Sequence, residues 1–91
     1  MGLDSVEFVM EVEEIFDLSF PDEDAQKTRT PGDVANFVQR RLAEGGNTNP
    51  RTNQPWTRDE ILEGVMRSLE RILGRRDFDE NSRFIEDIQL D

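Results

Sequence analysis

Carboxylates are the most abundant reactive groups in this sequence, and their spacing points to recognition rather than to bond-making. Glu7, Glu11 and Glu14 recur three and four residues apart, which places them on one face of a helix. Such a stripe suits a basic protein partner, or it is an ordinary solvated face. Asp77-Phe78-Asp79-Glu80-Asn81 begins like a calcium loop, with oxygen ligands at its first, third and fifth positions. Ser82 then stands where such a loop needs Gly, and Ile88 where it needs a bidentate Glu, so the cage is incomplete and no metal site is expected. Asp22-Glu23-Asp24 and Glu13-Glu14 would hold divalent cations only loosely. Paired carboxylates become catalytic only in a cleft that raises one pKa. Ser5, directly after Asp4, is a candidate nucleophile, but the chain has no His and no Cys to activate it or to bind a metal beside it. Its structural readings are a first-turn helix serine, or an N-cap if the helix starts late. No nucleophile, base and metal converge, so an enzyme is not expected.

The balance of charge supports this. The 91 residues carry 21 acids and 11 bases, a net charge of −10, and residues 1–26 hold nine acids and no Lys or Arg. Phosphate backbones would be repelled, which argues against nucleic acid. The same acids would also serve to keep a small domain soluble. One domain is expected from the length, with a modest core. No apolar run approaches the roughly 20 residues of a membrane span. The start lacks a basic, apolar leader, and Val6 breaks the myristoylation pattern, so a cytoplasmic protein is expected.

The elements that position these residues follow from periodicity. Leu3, Val6, Val9, Met10 and Phe16 predict a helix over 3–16 with these residues inward. Pro21 opens a turn into a short helix near 22–27. Thr30-Pro31-Gly32-Asp33 is a helix start, and Val34, Phe37, Val38 and Leu42 give that helix its buried face, to about Ala43. Residues 44–56 read as a linker rich in Gly, Asn, Thr and Pro, able to span roughly 40 Å. Thr57-Arg58-Asp59-Glu60 is a capping box, and Ile61, Leu62, Val65, Met66, Leu69, Ile72 and Leu73 form the cleanest helical stripe, closed by Gly74. Trp56 is placed to staple that helix start. Arg67 and Arg71 are spaced to pair with Glu63 and Glu70, or they stay solvated. Residues 75–91 read as a loop anchored by Phe78, Phe84, Ile85, Ile88 and Leu90. No strand pattern is evident. The fold class is therefore all-α, a helical bundle, with Val9, Met10, Phe16, Phe37, Val38, Ile61, Val65, Leu69, Ile72 and Phe84 as the expected core.

Two segments resemble the acyl carrier protein family. Val6-Glu7-Phe8-Val9-Met10-Glu11-Val12-Glu13-Glu14-Ile15-Phe16, with Pro21-Asp22-Glu23-Asp24 and Thr30-Pro31-Gly32-Asp33, is similar in order and spacing to the family's second, third and fourth helices. Ile61 through Gly74, then Phe84-Ile85-Glu86-Asp87-Ile88-Gln89-Leu90-Asp91, is similar to its first helix and the loop leading to its attachment serine. The order is reversed, so the resemblance implies a circularly permuted four-helix bundle. It would be a single domain over 1–91, with 1–43 as the second to fourth carrier helices, 44–56 as linker and 57–91 as the first helix plus loop. The linker need cover only one helix length, roughly 25 Å, and Asp91 and Gly2 would be neighbours.

The cut falls at the attachment site. In the family a serine at the start of the second helix receives 4'-phosphopantetheine from coenzyme A. Counting back without gaps from Val6-Glu7, that position is Gly2; taking Asp4-Ser5-Val6 as the motif makes it Ser5, at the cost of about three residues of helix register. The resemblance thus implies either of two functions. One is a carrier-like interaction module that binds carrier-recognising synthase or transferase enzymes of lipid or polyketide biosynthesis through Asp4, Glu7, Glu11 and Glu14. The other is a working carrier loaded at Ser5 by a phosphopantetheinyl transferase. Should the two segments of one chain fail to meet, a swapped dimer replaces the monomer.

Overall fold

Each long helix starts or stops where local chemistry satisfies backbone groups that have no intrahelical partner. A computed structural model describes residues 3–90. Helix α1 spans Leu3–Phe16 and ends at Asp17, whose φ of 52° turns the chain. Glu13 closes that turn: its carbonyl accepts from Leu18 N at 3.2 Å and its carboxylate from Phe20 N at 2.8 Å. The short α2 spans Asp22–Ala25. Helix α3, Pro31–Gly45, starts with Pro31 in its first turn and Thr30 Oγ1 accepting from Asp33 N at 3.1 Å. It runs two residues beyond the predicted Ala43 and stops at Gly46, in the left-handed region at φ 66°. Helix α4, Arg58–Leu73, has the full capping box: Thr57 Oγ1 accepts from Glu60 N at 3.1 Å and Thr57 N donates to Glu60 Oε1 at 2.9 Å.

Residues 44–56 are more ordered than a plain linker. After α3, an antiparallel ribbon pairs β1 (Thr48–Asn49) with β2 (Gln54–Pro55). Asn49, which is buried, holds the turn: its carbonyl accepts from Thr52 N and Asn53 N at 3.2 and 2.8 Å, and its side-chain oxygen from Arg51 N at 3.0 Å. Asn and Pro chemistry makes this ribbon, not apolar alternation, so hydrophobic periodicity gave no sign of it.

Helix α4 is the centre of the packing. It lies against both α1 and α3, which make little direct contact with each other. Ile61, Val65 and Leu69 are fully buried among Val12, Phe16, Val34 and Val38. Trp56 packs edge-on to Phe16, ring centroids 5.0 Å apart. Gly64 lies where the Phe16 ring meets α4: a Cβ there would stand 2.8 Å from Phe16 Cζ. The C-terminal segment crosses the start of α3 through Gly32 N to Glu80 O at 2.9 Å and Phe84 N to Arg29 O at 2.8 Å. It ends in a π-turn, Phe84–Ile88, whose Phe84 and Ile88 are buried, with the Phe84 ring 5.7 Å from that of Phe8.

The fold is mostly helical, as expected. Three details differ. The inner face of α1 is Phe8, Val9, Val12 and Phe16, whereas Leu3, Val6 and Met10 face outward, Met10 at 61% exposure. Helix α1 carries two apolar stripes. The one with Phe8 and Phe16 offers more area, and α4 and the π-turn cover that one. Ile72, expected in the core, is only partly buried at its edge. Ile85, expected as an anchor, is 79% exposed. Gly2 and the expected Gly2–Asp91 junction lie outside the described residues.

Candidate functional site

The outer face of α1 brings the acids and the displaced apolar residues together. Leu3, Val6 and Met10 follow helical spacing. Glu7 and Glu14 stand beside them, one turn after Leu3 and Met10 respectively, and both are exposed. The result is an apolar strip edged by carboxylates, the pattern expected of a surface that meets a basic partner with an apolar contact at its centre.

The four predicted partner-binding acids do not share one environment. Glu7 and Glu14 are on this surface, and Asp4 is half-buried. Glu11 is turned inward at 8% exposure. Its Oε1 accepts from Ser68 Oγ at 2.8 Å and pairs with Arg71 Nη2 at 2.7 Å. This hydrogen bond, with the charges of Glu11, Glu7 and Glu14, raises the Arg71 pKa still further. Arg71 therefore crosses to α1 rather than pairing with Glu70 along α4. Glu70 pairs with Arg76 at 3.5 Å, and Arg67 keeps its pairing with Glu63 at 3.3 Å. Periodicity placed Glu11 with the surface acids, and no signal in α1 alone reveals partners in α4.

Ser5 is the third residue of α1 and lies on its core-facing side, in line with Val9, Val12 and Phe16. It is half-buried at a mostly apolar cavity of about 230 Å³ whose walls include Phe8, Val9, Phe20, Phe84 and Leu90. Three separate segments build this cavity, so no local pattern reveals it. A phosphopantetheine group needs a hydroxyl open to a transferase. The Ser5 hydroxyl lies within the first turn of α1 and beside the cavity, half-buried.

In the loop from Asp77, Asp79 Oδ1 accepts from Asn81 N at 2.8 Å, which is turn chemistry. Among the described residues no group of three or more His, Cys, Asp or Glu is arranged to hold a metal ion. No helix among them is long and apolar enough to cross a membrane.

Fold and surface together define a small acidic helical domain with one exposed apolar and acidic helix face. Comparison with known proteins gives this class a likeness. The chain is 54% identical over 40 residues to an acyl carrier protein of Bdellovibrio bacteriovorus, covering 44% of this chain and 51% of that protein. It is 45% identical over 43 residues to an acyl carrier protein of Clostridium acetobutylicum, covering 47% of this chain and 56% of that protein. The chain thus spans about half the length of the curated relatives it matches. No protein-family model matches it, and no solved structure does. Over that half it is similar to acyl carrier proteins.

Proposed function

We propose that this domain is an interaction module of carrier type, docking through the outer face of α1 onto enzymes that recognise carriers. The observation that carries this reading is the place of Ser5. Helix α1 is already formed at Leu3, and Ser5 sits inside its first turn on the core side, half-buried. It is not displayed at the helix start, where a carrier offers its serine, and the position that matches the family's serine in register is Gly2. Glu7 and Glu14 steer a basic partner, and Leu3 and Met10 supply the apolar contact once it arrives.

The reading includes the circular permutation. A linear comparison can follow only one segment of a permuted chain. Matches of 40 and 43 residues, close to the length of the segment 1–43, are what such an order would give. The packing of α4 against both α1 and α3 supports it as well.

One observation favours the alternative, loading at Ser5: its hydroxyl borders an apolar cavity suited to a hydrocarbon chain. Incubation with coenzyme A and a broad-specificity phosphopantetheinyl transferase, followed by intact mass, separates the two. An interaction module gains no mass while folded, and binds a carrier-recognising transferase or synthase in a salt-sensitive way that Glu7→Lys and Glu14→Lys weaken. A mass gain abolished by Ser5→Ala would replace this reading with that of a working carrier.

A further inference from the structure

We propose that Arg40, Arg41 and Arg58, on the α3 flank, form a second docking surface that receives a short acidic segment of a partner polypeptide. The proposal is independent of the reading of the α1 face. It begins with where the cations are. Although the chain carries a net charge of −10, residues 27–58 hold six bases, Lys27, Arg29, Arg40, Arg41, Arg51 and Arg58, against two acids, Asp33 and Glu44.

How these cations are used divides them sharply. Every arginine after Arg58 is committed to a carboxylate. Arg67 and Arg76 pair with Glu63, Arg71 with Glu11, Arg75 with Asp77 and Arg83 with Glu86. Among the described residues Arg40, Arg41 and Arg58 make no ion pair. Glu44 stands one turn beyond Arg40 on α3 and still does not close on it. Acids outnumber bases 21 to 11, yet among the described residues five of the ten arginines, Arg29, Arg40, Arg41, Arg51 and Arg58, make no ion pair, and all five lie within residues 27–58.

The three are held in place without being neutralised. The guanidinium carbons of Arg40 and Arg41 lie 5.8 and 5.5 Å from the centre of the Phe37 ring, a geometry that orients a cation, and Arg41 Nη2 donates to the Ser19 carbonyl at 3.5 Å, a neutral acceptor that leaves the charge uncompensated. Arg58, at the start of α4, reaches across to α3, donating to Asn36 Oδ1 and, at 3.4 Å, to Gln39 Oε1. Asn36 and Arg40 are one turn apart, so Arg58 and Arg40 share a face of α3. Arg40 and Arg41 are exposed and Arg58 is half-exposed.

Guanidinium forks match carboxylates in geometry as well as charge. Range decides which anion fits. At physiological salt, charge is screened over about 8 Å, so a short acidic segment seated on the patch responds to the three arginines, and to Glu44 and Asp59 near them in sequence, more than to the acids of α1. A nucleic acid or an anionic bilayer extends well past that distance, and would bring its own charge against α1 and the C-terminal segment. A second copy of the chain brings the same excess of negative charge. With α1 and α3 on separate flanks of α4, the module would hold a basic partner on one side and an acidic one on the other.

The test is a titration of the folded protein with a fluorophore-labelled short Asp/Glu peptide at physiological ionic strength, read by anisotropy. Arg40→Gln/Arg41→Gln, which keeps good helix formers, should weaken binding by about tenfold or more, and Arg67→Gln should leave it nearly unchanged. Circular dichroism checks that each variant is folded, and amide shifts in a labelled sample should cluster on α3 and at Arg58. Absence of peptide binding, equal affinity in the double variant, or shifts confined to Arg67–Arg76 would overturn the proposal. So would tighter binding to a single-stranded oligonucleotide or to phosphatidylserine vesicles. Self-association without peptide that the double variant abolishes would overturn it in favour of a second copy.

Discussion

Glu11 shows how one side chain can change the meaning of a pattern. Its spacing from Glu7 and Glu14 is that of a surface stripe, but its partners are Ser68 and Arg71, far away in the chain. A helical pattern reports which residues share a face. It does not report which distant element will cover that face, so the exposed acids were legible and the buried one was not. Ser68 is 2% exposed and its hydroxyl donates to Glu11. Glu11→Ala should therefore cost about 1–3 kcal/mol by leaving that hydroxyl without an acceptor. Adding Ser68→Ala should cost less than the sum of the two single changes, as read by urea unfolding. Glu63 predicts a pH effect. The hydrogen bond from Arg76, and then Arg67, holds its carboxyl below the ordinary range. Its stabilising contribution is present above the ordinary glutamate pKa and is lost as pH falls through the lowered value. Glu63→Gln should then lose less stability than the parent below about pH 4, by a margin that shrinks in high salt.

At the scale of elements, boundaries were readable wherever a cap fixed them. Thr30, Pro31, Thr57, Glu60 and Gly74 act as their types and spacing predict. What could not be read was the facing of α1, because both of its apolar stripes satisfy the same period and only α4 and the π-turn choose between them. The ribbon at 48–55 was invisible for a different reason: its pairing rests on Asn49. Gly64 is the sharpest contact between elements. Ala is the better helix former by about 1 kcal/mol, but its methyl would meet Phe16, a ring buried against Trp56, at an overpacking cost of about 1–3 kcal/mol. Gly64→Ala should lower thermal stability on balance and shift Trp56 emission. Unchanged emission with raised stability would show that Phe16 moves aside freely.

For the whole molecule, the proposed permutation makes a direct prediction. A chain with residues 57–91 placed before residues 2–43, and the linker removed, should fold with the same helix content and unfold cooperatively, within a few degrees of the parent, as followed by circular dichroism. Failure of that chain to fold would sink the permutation without touching the arginine patch. Composition and charge made the acidic, helical character legible; the permuted order is the proposal that this reordered chain tests. The basic flank escaped notice because net charge averages over it, and because pairing is a property of the folded state.

The central position of α4 bears on how the protein is made. Synthesis delivers α1 and α3 to the tunnel exit first, while the helix that separates and covers them is still inside the ribosome. Val12, Phe16, Val34 and Val38 then await a cover that arrives only after residue 73 has cleared. The nascent chain passes through a stage with open apolar faces, for which a holding chaperone has use, and its final collapse follows translation of α4 rather than accompanying it.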